Sequence, residues 1–378
     1  MRPSHVRLAL LLGLLAASAR AEEAASEWDP TRTVAFVVGV LSFQDQKLAT
    51  WPEEGRRDAE LVELLRRRGA KEVVFLKDRE ATGARIARDF SALLERTQAG
   101  QTLLVYYAGH GYRKNDGAVG FVPWDQAGDW QVASILDTIE ARFKGQRALL
   151  LADCCHSGGL ADAAEARQAR SKLAWASLTS AWSTSRSTGN WTFTESLLAA
   201  LGGEPRADPD GDGAVTLGEA AALAEAEMAF GEEQLTRFYA SPGFGPALRL
   251  ARAAGPRPGP RVGERLEVQA EGEWWKARVL EVQGERLKVR FYGWDASYDE
   301  WVEPARTRPW KTPARQVGQK VEVESDGTWY PATIVDTRLG LAKVTYQGWD
   351  ASWDEWVPSG RMREPGQEAK KKRRRGKR

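Results

Sequence analysis

The chain has 378 residues, with 54 Lys and Arg against 52 Asp and Glu, a formal charge of +2 and a hydrophobic content of 42%. That length and apolar content support two or three domains with real cores. The two cysteines, Cys154 and Cys155, are adjacent and cannot staple distant segments, which excludes a disulfide framework, and no segment beyond the N-terminal run is long and apolar enough to span a membrane.

Taken in chain order, the first feature is a leader. Arg2 and Arg7 precede an apolar run over 8–17, and Ala19-Arg20-Ala21 follows. This is the pattern of a secretory signal over 1–21, cleaved near Glu22, and it predicts a secreted or periplasmic protein. An uncleaved anchor is the alternative reading. From 33 to 253 strand and helix patterns alternate. Buried-strand runs fall at 34–40, 72–76, 102–107, 148–152 and 174–178, with a last short strand at 247–250. Helical spacing covers 53–68, with Ala59, Leu61, Leu64 and Leu65 on one face, then 84–97, about 131–143, 194–201 and 218–230. The segment between His110 and Gln131 reads as a loop. Such alternation predicts an α/β domain with a largely parallel sheet covered on both faces.

Two of these strands end in chemistry. The run 102–107 leads into Gly109-His110-Gly111, and the run 148–152 leads into Asp153-Cys154-Cys155-His156-Ser157-Gly158-Gly159. If the two strands are parallel neighbours, both polar ends emerge at the carboxyl edge of the sheet, where α/β folds place ligands. An imidazole and a thiol would then meet, the minimum set for a cysteine nucleophile and its base. The chain holds 3 His and 2 Cys, so scarce reactive groups cluster in two matched places.

Asp208-Pro209-Asp210-Gly211-Asp212-Gly213-Ala214-Val215-Thr216-Leu217-Gly218-Glu219 fits the EF-hand loop template. Acids stand at positions 1, 3, 5 and 12 (Asp208, Asp210, Asp212 and Glu219), with glycine at 6 and an apolar residue at 8. Close carboxylates repel without a cation, so the spacing calls for Ca²⁺ as a cofactor. An Asp/Gly-rich turn that binds nothing is the competing reading.

Residues 254–261 are Pro- and Gly-rich and read as a linker. Beyond it lies a repeat of period 55, with modules over 262–310 and 317–363. Phe291-Tyr292-Gly293-Trp294-Asp295-Ala296-Ser297-Tyr298 in the first copy matches Tyr346-Gln347-Gly348-Trp349-Asp350-Ala351-Ser352-Trp353 in the second. Short runs of alternating polarity make each copy a small β-barrel. Residues 364–378 form a basic, disordered tail, whose eight Lys and Arg between 370 and 378 leave the rest of the chain net acidic.

The two polar strand ends, at this spacing, resemble the metacaspase and bacterial caspase-like branch of the clan CD cysteine peptidases, whose motif is H-G followed by D-x-C-H-S-G. Gly55-Arg56-Arg57-Asp58-Ala59, Gly120-Phe121-Val122-Pro123-Trp124-Asp125 and Phe193-Thr194-Glu195-Ser196-Leu197-Leu198 add to the resemblance. It implies Cys155 as nucleophile and His110 as proton shuttle, with Cys154 on a variable position. The oxyanion would sit against the backbone N–H groups of Gly111 and Cys155. His156 reads as structural, since adjacent residues on a strand point to opposite sides. The resemblance also makes Asp58 and Asp153 the walls of the pocket for the residue before the cut bond. Two carboxylates there imply cleavage after Arg or Lys. Arg167, Arg170 and Lys172, in a polar loop after the nucleophile, are candidate self-processing sites.

The repeats resemble Tudor-knot or chromo-barrel modules. That resemblance implies an aromatic cage for methylated lysine at Tyr330, Tyr346, Trp349 and Trp353, and at Trp275, Phe291, Trp294 and Tyr298 in the first copy. Trp301 and Trp356 read as core. In the alternative the aromatics are core and rim of an SH3-like barrel used for attachment. The implied architecture is an α/β caspase-like sheet with helices on both faces, followed by two small SH3-like β-barrels. The expected function is an exported endopeptidase acting on peptide or protein substrates with Arg or Lys before the cut bond, positioned by barrels and tail on a methylated or anionic partner. The contrasting expectation is a non-catalytic adaptor in which only the barrels and tail act.

Overall fold

The computed structural model describes residues 27–255, 259, 261–311 and 314–366. The leader over 1–21, the basic run 370–378 and part of the 254–261 linker lie outside these residues. The chain begins with β1 (Thr33–Gly39), α1 (Arg57–Arg67), β2 (Glu72–Lys77), α2 (Gly83–Glu95) and β3 (Thr102–Ala108). A small antiparallel sheet follows, built from β4 (Gly111–Arg113), β5 (Val119–Phe121) and β6 (Trp130–Gln131). Then come α3 (Val132–Arg142), β7 (Arg147–Asp153), α4 (Gly159–Arg167), β8 (Ala174–Thr179), α5 (Thr192–Gly202), β9 (Ala214–Thr216), α6 (Leu217–Gly231), β10 (Arg237–Ala240) and β11 (Arg249–Arg252).

Six of these strands form the central sheet in the order β10-β8-β7-β3-β1-β2. All pairings are parallel except β10 against β8. The inner strands are buried on both faces, as expected for a parallel sheet clad by helices. Their alternation sorts the core into two layers. Val34, Phe36 and Val38 pack with α2, α3 and α4, through residues such as Phe90, Ile135 and Leu160. Ala35 and Val37 pack with α1, α5 and α6, through Leu61, Leu65, Phe193 and Met228.

Several local expectations shift. Helix α1 starts at Arg57 rather than 53, because Arg56 is extended (φ −68°, ψ 120°) and its side chain turns back to Asp58. The loop expected between His110 and Gln131 contains β4, β5 and β6. The polar loop expected after the cysteines begins as α4, and Arg167 closes that helix nearly buried, bonded to Asp137 and Glu140. A protease cannot reach it there, so Arg167 is not a processing site in this conformation. The last short strand, β11, pairs with β9, while the edge of the main sheet is the four-residue β10.

The repeat continues as β12 (Arg265–Ala270), β13 (Glu273–Gln283), β14 (Arg286–Phe291), β15 (Glu300–Val302) and β16 (Thr307–Pro309). Its second copy is β17 (Lys320–Ser325), β18 (Thr328–Arg338), β19 (Leu341–Tyr346), β20 (Glu355–Pro358) and β21 (Met362–Arg363). Both are five-stranded antiparallel sheets of the same order, each with a register shift at the matching place, Val279/Glu281 and Ile334/Asp336. Such a bulge bends a strand and lets a short sheet curl. The cores match as well: Leu266, Val268, Val279 and Val289 in one, Val321, Val323, Ile334 and Val344 in the other.

Both modules dock on the second half of α6. Glu227, 1% exposed, accepts from Arg278 (2.7 Å), Arg265 (3.2 Å) and the Tyr292 hydroxyl (2.5 Å) of the first barrel. Burial pushes the Glu227 carboxyl up, but Arg278, Arg206, Tyr292 and Arg265 outweigh it and hold it below the usual range. Phe230 meets Tyr292 and Trp310 edge-on at 5.3 and 5.1 Å. The second barrel buries Trp356 and Leu341 against Ala229 and Leu235, beside Trp182. Trp356 is therefore interface rather than barrel core, and Trp301 is half-exposed under Arg286.

Glu227→Ala leaves the Arg278 guanidinium buried without its carboxylate, which costs about 3–5 kcal/mol. Urea unfolding should show that loss, and limited proteolysis should open the linker near residue 255. Replacing both Glu227 and Arg278 with Met should recover most of the stability. A single-variant loss below about 1 kcal/mol would contradict the anchoring role, since exposed pairs contribute no more than that.

Candidate active site

Parallel pairing aligns three strand ends. Gly39 of β1 lies opposite Ala108 of β3, and Ala108 lies opposite Asp153 of β7. His110 is two residues beyond Ala108, and Cys155 is two residues beyond Asp153. The two groups therefore leave the carboxyl edge at equivalent levels of adjacent strands, about 5 Å apart in the sheet. Gly111 packs directly on the Cys155 carbonyl and the Cys154 sulfur, and a Cβ there would collide with both. That close approach requires glycine.

His110 is held from several sides. Its carbonyl accepts from the Tyr107 hydroxyl and the Val122 N–H, each at 3.0 Å. Tyr107 itself stacks on Phe121 at 4.4 Å. The imidazole lies between Phe43 (4.9 Å) and Trp51 (4.7 Å), and its Nε2 is 2.9 Å from the Ala49 carbonyl. A carbonyl only accepts, so Nε2 carries the proton and Nδ1 is left to exchange one.

The two cysteines differ sharply. Cys154 is buried, and burial, with Cys155 and Asp153 nearby, pushes its thiol well up. Cys155 is half-buried, and its sulfur accepts from the Ser187 N–H at 3.2 Å. Ser187 is positioned in turn by Gln234, whose amide donates to the Ser187 hydroxyl (3.1 Å) and the Ser180 carbonyl (2.6 Å) and accepts from Thr188 N–H. His110 and Cys155 are each bonded to a backbone group rather than to each other. His156 is not on a strand: β7 ends at Asp153, and His156 sits in a turn at φ +60° with Nδ1 donating to the Ser183 carbonyl at 2.9 Å. Burial lowers its pKa. Its structural role thus rests on that bond and not on strand alternation.

Asp153 and Asp58 face the same helical layer. Asp153 accepts from Thr194 at 2.6 Å, and the Thr194 hydroxyl also meets Tyr106 at 2.7 Å. Burial pushes the Asp153 carboxyl up to about 7. Asp58, fully buried, presses so closely on Gly39 that a Cβ on residue 39 would overlap its carboxylate. It is not an open carboxylate: Arg56 grips it in a bidentate pair (2.9 and 2.6 Å) and reaches Asp78 at 2.5 Å. The sequence reading missed Arg56, Trp51, Ser187 and Gln234 as parts of the site. Arg56 stands in a stretch the resemblance had already marked, but nothing in the sequence pairs it with Asp58. The other three carry no local signal.

Asp208, Asp210 and Asp212 bring carboxylate oxygens within 4.8 Å of one another. Asp208 also accepts from Gly211 and Gly213 N–H, which shapes the loop. Glu219 makes a capping box with Thr216 at the start of α6, and its other oxygen, Oε1, is buried without a hydrogen-bond partner. Three clustered carboxylates fit an oxygen-loving cation such as Ca²⁺, while Glu219, expected from the sequence as a fourth ligand, lies outside that cluster with its orphaned oxygen. Val215 of the loop is buried and its strand pairs with β11, where a paired EF-hand would use a second loop.

In the first barrel Trp294 meets Trp275 (5.7 Å) and Tyr298 (4.8 Å), while Phe291 is buried in the barrel core. In the second, contacts fall into two pairs, Tyr330 with Tyr346 (6.3 Å) and Trp349 with Trp353 (4.9 Å). Trp294, Tyr298, Trp349 and Trp353 are all exposed.

The sequence profile described as the caspase domain of the C14 peptidases matches residues 32–337, and the Agenet domain profile matches residues 318–367. Comparison with curated proteins returns no match. Among solved structures, the Drosophila initiator caspase Dronc is similar at 9% identity, over 58% of this chain and 83% of that one, with a TM-score of 0.39. Caspase-1 of Spodoptera frugiperda is similar at 13% identity, over 55% and 86%, with a TM-score of 0.35. The tandem Agenet domain 3-4 of ADCP1 is similar at 18% identity, over 27% and 77%, with a TM-score of 0.14. With the profile spanning well over half of its length, the chain belongs to the caspase-domain family of C14 peptidases and carries an Agenet, Tudor-like module at its C-terminal end.

Proposed function

We propose that the protein is an exported cysteine endopeptidase that cuts after Arg or Lys, with Cys155 as nucleophile and His110 as its base. The observation that carries this reading is the equivalent placement of the two groups beyond β3 and β7, with His110 Nε2 engaged by Ala49 so that Nδ1 is the proton carrier. In the first step Nδ1 takes the thiol proton and the sulfur attacks the substrate carbonyl. The resulting oxyanion would be met by the backbone N–H groups of Gly111 and Cys155, which glycine at 111 lets approach closely. As the oxyanion collapses the carbon–nitrogen bond breaks, His110 protonates the leaving amine, and the acyl group stays on the Cys155 sulfur as a thioester. Water, deprotonated by the same imidazole, cleaves the thioester and restores the thiol.

Preference for a basic residue rests on Asp153. Arg56 is outnumbered by its partners Asp58 and Asp78, so this corner of the sheet edge keeps net negative charge. An acidic substrate residue would meet that surplus, and a basic one would satisfy Asp153. The barrels would add docking to a methylated partner through exposed pairs such as Trp349 and Trp353. The Asp208 loop would hold Ca²⁺ through Asp208, Asp210 and Asp212, a weak site on the order of 10⁻⁴–10⁻³ M.

The direct assay is purified full-length protein against fluorogenic peptides ending in Arg or Asp. Arg peptides should be cut, and Cys155→Ala or His110→Ala should each lower kcat/KM by at least about 10³-fold. Binding of a trimethyl-lysine peptide without any cleavage would support the adaptor reading instead.

Asp153 also sets a pH dependence. Its carboxyl is neutral below about 7 and charged above it. KM for an Arg peptide should therefore fall as pH rises from 6 to 8. Asp153→Asn should flatten that profile and raise KM at pH 8 about tenfold or more, the value of one charge-assisted hydrogen bond. Because the folded state holds this proton more tightly than an ordinary aspartate does, the carboxyl costs stability as pH rises from about 4 to 7, with no further change above. A profile for Asp153→Asn identical to wild type would remove this residue from the pocket.

Calorimetry and thermal unfolding test the cation. At roughly 10 mM Ca²⁺, binding of that strength stabilises the fold by about 1.4–2.7 kcal/mol. Asp208→Asn should abolish the shift, and no shift in wild type would dismiss the site.

A further inference from the structure

A cavity of about 210 Å³ lies between the caspase-type domain and the first barrel. This is below the ~300–1,000 Å³ of pockets for drug-sized ligands and suits one long side chain. Trp51 forms part of its wall, and the same indole lies 4.7 Å from the His110 ring. Gly189, another lining residue, presses against the Trp51 indole nitrogen, and two residues earlier Ser187 donates to the Cys155 sulfur. The cavity thus adjoins the immediate neighbours of both reactive groups.

The opposite wall is the turn that follows β14 in the first barrel, Gly293 to Asp295. Gly293 packs on Asn190, whose amide is bonded to Glu232. Trp294 belongs to the cavity and equally to the aromatic cluster with Trp275 and Tyr298. One ring therefore joins the barrel's aromatic surface to the catalytic edge of the sheet.

The charges in this wall are not balanced in the same way. Each guanidinium is engaged inside the protein: Arg57 with Glu195 and Glu60, Arg278 with Glu227, Arg290 with Asp299. Asp295 accepts from the Ser297 hydroxyl and amide, and these bonds, with Arg290 nearby, hold its carboxyl below the usual range, while Glu54 is exposed. What the cavity offers to a visitor is indole faces and the exposed carboxylates of Glu54 and Asp295. That combination recognises an organic cation.

We propose that this cavity is a substrate subsite, in which the first barrel holds a lysine-type cation, methylated or not, on the same polypeptide that the sheet edge cuts, a few residues from the scissile bond. The proposal rests on the peptidase reading and makes the barrel a wall of the active site rather than a separate tether. Its position is fixed by the Glu227 anchor, so the subsite exists only while the barrel is docked.

The test uses the full-length protein and quenched peptides that share one Arg at the cut position. They differ in a single Lys, trimethyl-Lys or norleucine placed two to five residues away. At one position wild type should favour either cation over norleucine about tenfold in kcat/KM, mainly through KM. Trp294→Ala and Asp295→Asn should each bring that ratio to within twofold of one. Equal gains from Lys and trimethyl-Lys would mean that charge is read, and a larger gain from trimethyl-Lys that the aromatic faces are read. No position effect in wild type, or an undiminished ratio in both variants, overturns the proposal. A separate arm measures binding of the same peptides to the Cys155→Ala chain by calorimetry. If wild type cuts nothing, the peptidase reading fails, and Trp294-dependent binding of the cationic peptides still supports a cation site here. Binding that ignores Trp294 overturns that too. Melting temperatures of each variant show whether it is folded.

Discussion

The parallel register of β3 and β7 is the constraint on which the geometry of the candidate site depends. Ala108 opposite Asp153 sets His110 and Cys155 at one level and brings Gly111 onto the Cys155 carbonyl. A slip of one residue would exchange the two faces of a strand and carry Tyr107 out of its stack on Phe121 into the opposite layer. Two differently populated cores forbid that slip. Phe36, Phe90 and Trp130 fill one layer, while Leu61, Leu65 and Phe193 fill the other. The placement of His110 and Cys155 is therefore specified by apolar packing far larger than the site, with His110 held as a consequence by Tyr107, Val122 and two aromatic rings.

A second, polar constraint joins the barrels to this sheet. A buried carboxylate is costly unless paired and hydrogen-bonded, and Glu227 has Arg278, Arg265 and Tyr292 around it. Such a cluster stabilises little relative to an apolar contact of equal size, but it tolerates one arrangement only. Removing the barrel would expose the carboxylate on one side and the guanidinium on the other. Helix α6 thereby links three regions: the Asp208 loop at its start, both barrels along its second half, and Gln234 just past its end, which positions Ser187 against Cys155. The Agenet-type module and its repeat are thus packed against the caspase-type unit and do not hang from the linker.

Much of this was legible in the chain because it rests on periodicity. The buried strands, the flanking helices and the repeat all declare themselves through alternation of apolar residues, and the caspase-type and Tudor-like resemblances follow from contiguous motifs. The Cys–His pair was visible because both lie at ends of strongly apolar strands. Short or compensated elements were not. β10 has four residues, too few for a pattern, and α4 is mostly small and polar residues that read as loop. The partners of charged residues were also hidden. Asp58 looked like an open pocket acid until Arg56 was seen around it, and Arg167 looked like an exposed loop residue until Asp137 and Glu140 were seen to hold it.

The amino-acid sequence by itself determined the kind of fold, the family, the two barrels and which cysteine and histidine stand at strand ends. These follow from local spacing, and spacing survives without coordinates. Tertiary structure alone decided that Thr194 meets Asp153, which ring nitrogen of His110 is left to carry a proton, and where Trp294 comes to lie relative to Trp51. Each of those depends on groups tens to hundreds of residues apart meeting within a few ångströms, and such meetings are set by packing of whole layers rather than by any pattern along the chain.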